Sequence, residues 1–440
     1  MELQRNIIER LAKWKESRYR NPLILQGARQ VGKTHLLKKF GEKFYDSTAY
    51  FNFEKMPELS QFFKISKEPK RIIENLSVIH GKEIMPEQTL IVFDEIQECN
   101  EALNALKYFS EEAPEYHIVS AGSLLGVSLS RGMSFPVGKV DFENLHPLSF
   151  REFLKTADPL MFAYLESIET TDVIPDLFFN KILEKFRLYM ISGGMPKSIT
   201  SLLTEFSVEQ SETVLSNIIK SYQLDFSKHA NNNDVQRIHY IWDSIPSQLS
   251  KENKKFIYKV VKTGARAREY EDALSWLKNA GLIYKVYKSE KPGLPLSAYD
   301  DLSAFKVYVL DVGILRKMSK LEPSIIGNDN LIFNEFKGAF AENYILQSLT
   351  AQFNQALRYW TSGNEAEVDF LLQFENEIIP IEVKSSKNVR SKSLAYYRLK
   401  YEPPISVRYS LNNLQYTSGV LNIPLFMSDY TEKLIRICLR

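Results

Sequence analysis

Cysteine is nearly absent from this 440-residue chain: Cys99 and Cys438 are its two, far apart and without a CxxC partner. That excludes a disulfide framework and a zinc ribbon, and a reducing compartment is expected. An excess of charge of one sign is lacking too. Lys and Arg total 56 against 54 Asp and Glu, a net charge of +2, so the chain cannot bind nucleic acid as a bulk polycation and any basic surface has to be local. No apolar run approaches the ~18 residues that a membrane span needs. The N-terminus opens into an amphipathic pattern (Leu3, Ile7, Ile8, Leu11, Trp14) rather than an apolar leader, and a soluble cytoplasmic protein with no membrane contact is expected.

Hydrophobic residues at 44% and charged residues at 25% are ordinary globular usage, which excludes disordered and fibrous classes. The length exceeds what one core serves, and three domains are expected, at 1–205, 206–325 and 326–440. The first 145 residues alternate short apolar runs with helical patterns, the signature of a parallel α/β sheet. Strands are predicted at 22–26, 49–53, 89–93, 116–120 and 140–145. From Ser149 the spacing becomes amphipathic-helical and predicts a helical lid. Residues 234–287 predict helices followed by strands, the order of a winged helix. A Pro- and Gly-containing stretch at 321–328 is the expected boundary before the last domain. That domain is predicted to run helix (336–349), strands (357–360, 367–374, 378–384), helix (391–399), strand (405–410).

Gly27-Ala28-Arg29-Gln30-Val31-Gly32-Lys33-Thr34 is a complete Walker A motif between an apolar strand and a helix. Such a loop cradles phosphates with backbone N–H groups, its lysine reaches the β and γ phosphates, and its hydroxyl ligates magnesium. ATP and Mg2+ are therefore expected here. Leu90-Ile91-Val92-Phe93-Asp94-Glu95 supplies the partner that this chemistry needs: Asp94 to hold the magnesium through water and Glu95 to polarise the attacking water. That pair points to an ATPase rather than a GTPase. Ser120 or Ser123, after the next strand, is expected beside the γ-phosphate. Gly138-Lys139-Val140 mimics the end of a P-loop but lacks the spacing and the hydroxyl. Arg131 is the nearest candidate for an arginine finger.

Toward the C-terminus, Asp369 lies on one predicted strand and Glu382 and Lys384 on the next, joined by a short polar turn at Glu375-Asn376-Glu377. This is the PD-(D/E)xK arrangement, in which two carboxylates hold a hard divalent cation and the lysine positions or deprotonates water. Glu382 and Lys384, two apart, share one strand face. Glu342 on the preceding helix is a candidate third metal ligand. In the middle segment Lys259, Lys262, Arg266 and Arg268, with Lys285, Lys288 and Lys291 in the predicted wing, could neutralise DNA phosphates.

Several further stretches, 25–34, 94–97, 121–126, 134–140, 147–154, 193–196 (Gly193-Gly194-Met195-Pro196) and 308–315, together with these motifs resemble the prokaryotic AAA-type ATPases fused to a C-terminal domain of uncharacterised function. The resemblance spans nearly the whole chain. It implies an α/β fold with a P-loop NTPase parallel sheet of AAA/ASCE type, a helical lid, a winged-helix segment and a terminal α/β domain similar to restriction endonucleases. Many relatives carry a Gly-Arg pair where this chain has Ser130-Arg131-Gly132. Two functions are expected on these grounds. One is an ATPase whose nucleotide state controls a DNA-associated nuclease-like domain; the other is a nucleotide-dependent switch or scaffold, binding a protein partner or a second copy of itself, with a silent C-terminal domain.

Overall fold

An unbroken apolar run such as Leu90-Ile91-Val92-Phe93 needs a strand covered on both faces. The computed structural model, which describes residues 3–122, 136, 138–229, 232–251, 254–323, 337–363, 365–385 and 392–439, places it so: every residue of β3 (Thr89–Asp94) is buried. The chain forms two compact units, one of residues Arg5–His146 with the short stretch Asn279–Gly281, the other of Pro147–Lys278 with Leu282 onward.

The first unit is a five-stranded, all-parallel sheet. Its strands β1 (Leu23–Gln26), β2 (Ser47–Asn52), β3, β4 (His117–Ala121) and β5 (Asp141–Asn144) lie in the order β2-β3-β4-β1-β5. All five strands expected from the sequence are present. Phe53, Phe63 and Phe93 meet ring to ring with centroids 5.5 to 5.8 Å apart, in a core shared with the helices Pro69–His80 and Asn100–Glu112. Because β4 intervenes between β1 and β3, the end of β4 lies between the Walker A strand and the acidic strand.

The second unit joins helices to an eight-stranded mixed sheet. In it β6 (Ile283–Ser289), β7 (Asp300–Val309), β8 (Arg358–Thr361), β9 (Glu367–Phe374), β10 (Glu377–Val383), β11 (Ser406–Ser410), β12 (Gln415–Thr417) and β13 (Val420–Pro424) run in the order β12-β13-β11-β10-β9-β8-β6-β7. The helix–strand order expected of a winged helix is observed, as Tyr258–Val261, Ala267–Asn279, β6 and β7. The strand pair read as a wing instead forms one edge of the large sheet, because Tyr287, Lys288 and Ser289 pair in parallel with Arg358, Tyr359 and Trp360. The expected boundary at 205–206 falls inside this unit, as do the helices expected as a lid, and the one at 325–326 lies outside the described residues. The first of those helices, Phe150–Ala157, begins in a capping box: Ser149 Oγ accepts from Glu152 N at 3.3 Å and Glu152 Oε2 from Ser149 N at 3.0 Å. Among the described residues no helix is long and apolar enough to cross a membrane.

The stretches 193–196 and 308–315 meet at one buried carboxylate. Asp311 caps the helix Val312–Met318 through Ile314 N at 3.0 Å, and its other oxygen accepts from Gly194 N at 2.6 Å. The backbones approach so closely that a Cβ on Gly313 would lie 2.6 Å from both Gly193 N and Ser192 O. Gly313→Ala is expected to destabilise the chain by about 1–3 kcal/mol, as forced overpacking does, read as a lowered urea midpoint of the intact protein. An unchanged midpoint would show that the backbone crossing is not tight.

Candidate functional site

The loop from Gly27 to Thr34 is shaped by glycines where it must be. A Cβ on Gly27 would meet Leu145 O at 2.4 Å, and Gly32, at φ 97, begins the helix Lys33–Phe44. Gln30 takes a left-handed φ of 66 without being glycine, a local strain of the kind that collects at binding loops. Ala28 and Val31 are buried, while Arg29 is partly exposed. Lys33 Nζ donates to Gly27 O at 2.8 Å and Ala28 O at 2.9 Å. Burial lowers its pKa to about 8; Glu95 and Asp94 oppose that shift and Arg29 adds to it.

Asp94, at the end of β3, is the centre of the site. Its Oδ2 accepts from Thr34 Oγ1 at 2.9 Å, Tyr50 OH at 2.5 Å and Asn52 Nδ2 at 3.3 Å. The Thr34 hydroxyl and the Asp94 carboxylate thus stand together as hard oxygen donors, a set that fits a magnesium ion. Glu95 comes next with φ 52 and ψ 46, a left-handed conformation costing about 1–2 kcal/mol for a non-glycine residue. Gln97 Nε2 holds its carboxylate, donating to Oε2 at 2.6 Å. Ser120 is fully buried, and its Oγ has no hydrogen-bond partner among the described residues. Ser123 and Arg131 lie outside the described residues.

Motif reading missed the groups that hold this loop and carboxylate. Arg5 donates to Val31 O at 3.1 Å and also reaches His146 O. Tyr50 and Asn52, two apart on β2, face Asp94 together, the register pairing Asn52 with Asp94. Their signal was present, since two polar groups on one face of an otherwise apolar strand end need a partner; Arg5 left no such signal.

In the second unit the β9–β10 hairpin forms as expected, with Phe374 opposite Glu377 and Phe370 opposite Ile381. Asp369 and Glu382 adjoin the last paired residues of the ladder, Phe370 and Ile381. Asp369 Oδ2 accepts from Val383 N at 2.8 Å, and Lys384 Nζ pairs with Glu382 Oε1 at 2.6 Å. Glu342, on the helix Lys337–Phe353, joins them, but both its oxygens are engaged: Lys254 pairs with Oε1, and Tyr308 OH donates to Oε2 at 2.9 Å. Lys306 on β7 is fully buried and pairs with Glu367. Burial and the nearby Glu342 push Asp369 up to about 8, against the pull of Lys254 and Lys306. Burial raises Glu342 too, but Lys254, Lys306 and the Tyr308 hydroxyl outweigh it and hold that carboxyl below its usual value. Among the described residues no group of three or more His, Cys, Asp or Glu side chains is arranged to hold a metal ion. As folded, the cluster does not fit a divalent cation.

The expected basic surface is partly spent internally. Lys285 is nearly buried, 3.4 Å from Glu271 and 3.9 Å from the Phe305 ring centre, whereas Lys259, Arg266 and Arg268 enter no ion pair among the described residues.

The five-stranded order, the loop and the Thr34–Asp94 pair define a nucleotide-binding P-loop protein. Residues 19–154 match the AAA domain family, 183–325 a domain of unknown function (DUF8612) and 337–426 another domain of unknown function (DUF4143). The chain therefore carries one stretch similar to AAA domains, followed by two that match domains without an assigned role. Similar solved structures include a Walker-type ATPase of Pyrococcus abyssi, at 14% identity and a TM-score of 0.44, covering 72% of this chain and 96% of that one. RuvB of Thermotoga maritima scores 0.27 at 13% identity, covering 67% and 90%. Cdc6p of Pyrobaculum aerophilum scores 0.25 at 10% identity, covering 75% and 97%. At these scores the likeness carries no argument. A comparison with curated proteins finds no match.

A nucleoside triphosphate favours the charged form of Lys33, so above the folded pKa of about 8 binding must take up a proton. Its affinity should then fall by up to about tenfold per pH unit above 8, and Lys33→Arg should abolish the slope. A titration of Kd against pH checks this; an equal slope in both proteins would remove Lys33 from the site.

Proposed function

We propose that the first unit is a cytoplasmic, magnesium-dependent ATPase and that its nucleotide state controls a nuclease-like C-terminal site acting on DNA. What supports the first half is one arrangement: the P-loop hydroxyl of Thr34 bonded to Asp94, with Glu95 next in the chain and oriented by Gln97. In this reading Gly27, Ala28, Arg29, Gln30, Val31 and Gly32 wrap the phosphates with backbone N–H groups, and Lys33 swings its ammonium onto them. Glu95 orients the attacking water and takes its proton. Ser120, or Ser123, donates to the γ-phosphate. Magnesium, held by Thr34 and through water by Asp94, supplies charge neutralisation and polarises the phosphoryl oxygens.

The second half rests on the hairpin. Asp369, Glu382 and Glu342 are the carboxylates of a PD-(D/E)xK-like site, Lys384 its lysine, and Lys259, Arg266 and Arg268 the groups that meet DNA phosphates. One observation favours the other reading, a switch or scaffold that binds a protein partner or a second copy: the carboxylates Glu342 and Glu382 are already paired with Lys254 and Lys384.

ATP turnover should vanish in Lys33→Ala. Glu95→Gln should still bind ATP but hydrolyse it about a hundredfold or more slowly, the usual loss with a general base. Normal turnover in either variant would overturn the nucleotide site. DNA left uncut by wild type with ATP and magnesium or manganese, together with no effect of Lys384→Ala on any measured property, would leave the switch reading.

A further inference from the structure

The two oxygens of the Asp94 carboxylate are served unevenly. Among the described residues three donors converge on Oδ2, Thr34 Oγ1 at 2.9 Å, Tyr50 OH at 2.5 Å and Asn52 Nδ2 at 3.3 Å, while Oδ1 takes the backbone N–H of Glu95 at 3.2 Å. A carboxylate oxygen has about two lone-pair sites, so Oδ2 is saturated and Oδ1 keeps room for a further donor. The bond from Tyr50 is the shortest of the three, as a hydroxyl on an ionised carboxylate makes it. Tyr50 is itself held from two sides. The ammonium of Lys38 lies 4.1 Å from its ring centre, and its oxygen accepts from Asn52 Nδ2 at 3.4 Å. Lys38 stands four residues after Thr34 in the helix Lys33–Phe44, so both project from one helix face. Asn52 is fixed in turn, its Oδ1 accepting from Lys55 N at 2.8 Å. Neither motif of the nucleotide site includes Tyr50, which lies between them in the chain on β2.

We propose that Tyr50 is a positioning residue for the magnesium of the nucleotide site: it anchors Asp94 Oδ2, which leaves Oδ1 as the oxygen that meets the metal's water and leaves the Thr34 oxygen free to ligate. A hydroxyl has one proton, and Thr34 spends its proton on Asp94, so its lone pairs are what remain for a cation. That arrangement lasts only while the carboxylate keeps its rotation, and the terminal torsion of an aspartate is a soft one. Without the Tyr50 hydroxyl, Oδ2 keeps Thr34 and the longer bond from Asn52. A carboxylate so loosened offers the metal a spread of orientations, as happens when a group behind a metal ligand is lost. The phosphates do not share the loss, because the loop backbone holds them. This inference rests on reading the first unit as a magnesium-dependent nucleotide site.

The test is binding of Mn2+, as a substitute for magnesium, to the full chain saturated with ADP, followed by electron paramagnetic resonance of the free ion. Binding of ADP in EDTA is the second readout. Tyr50→Phe removes the hydroxyl and keeps the ring beside Lys38; a thermal melt checks that it folds. It should bind Mn2+ about tenfold or more weakly than wild type, the loss usual when a group behind a metal ligand is removed, while its affinity for ADP in EDTA stays that of wild type. Lys38→Gln takes the cation from the ring and leaves the hydroxyl, so it should lose about two- to fivefold in Mn2+ affinity, the worth of an exposed cation–π contact. Equal Mn2+ affinity in Tyr50→Phe and wild type would overturn the proposal. So would a greater loss in Lys38→Gln than in Tyr50→Phe, or an equal loss of ADP affinity in EDTA, which a merely structural role produces. The two readings fail separately: wild type that binds no Mn2+ with ADP sinks the magnesium-dependent site, whereas tight binding by wild type and Tyr50→Phe alike sinks the role of Tyr50 alone.

Discussion

A carboxylate taken out of water must find donors or a cation, or give up its charge. Three aspartates meet that demand in three ways, and the rest of the molecule is arranged around them. Asp94 collects hydroxyl and amide donors from Thr34, Tyr50 and Asn52, drawing together the P-loop helix, β2 and β3. Asp311 is satisfied mainly by backbone, taking N–H groups from Gly194 and Ile314 where Gly193 and Gly313 let two backbones touch, with Gln347 Nε2 donating at 3.4 Å. Even so, burial pushes it up to about 6. Asp369 has one backbone donor, a like charge opposite, and lysines contributed from outside its hairpin.

These three solutions differ in what they leave available. Around Asp94 the donors are neutral, so its negative charge remains on offer to a cation, and Thr34 stands ready as a second ligand. The strained backbone at Glu95 serves the same site: its left-handed turn lets one strand end present two consecutive carboxylates, one bonded by Thr34 and the other held by Gln97. Asp311 offers nothing, being enclosed on all sides, and its role is to fix the crossing of Gly193 and Gly313. The distinction between a site and a structural carboxylate is therefore one of donor charge and access rather than of burial alone.

How much of this the sequence carried depends on distance along the chain. The Walker A loop and Asp94-Glu95 were legible because strand, turn and helix are local and each residue type is needed where it stands. All five parallel strands were legible for the same reason, from apolar runs and turn signals. The hairpin of Asp369, Glu382 and Lys384 was legible too, its register set by two short strands and a two-residue turn. Partnerships over long separations were not. Nothing local tells that Ile283–Ser289 pairs with Arg358–Thr361 and extends the terminal sheet, because a strand's period of two states that it is a strand and not which neighbour it takes. No motif singles out Lys254 and Lys306, 88 and 61 residues from the carboxylates they meet. The glycine-rich stretch at 193–196 was recognisable as a pattern, yet its physical reason needed Asp311, 117 residues away from Gly194.

Long-range partners also decide what the Asp369 cluster can hold. Asp369 and Glu382 adjoin the last paired residues of the hairpin, and two ionised carboxylates brought near each other repel. Burial, and after it Glu342, pushes Asp369 up to about 8, while Glu342, Glu367 and Glu382 each meet an ammonium group, Lys254, Lys306 and Lys384. A cluster balanced in this way has no electrostatic reason to accept a further cation, whatever its resemblance to a metal-dependent nuclease. To acquire one it must lose a cation, and each of the three is held by a carboxylate of its own, Lys254 by Glu342, Lys306 by Glu367 and Lys384 by Glu382.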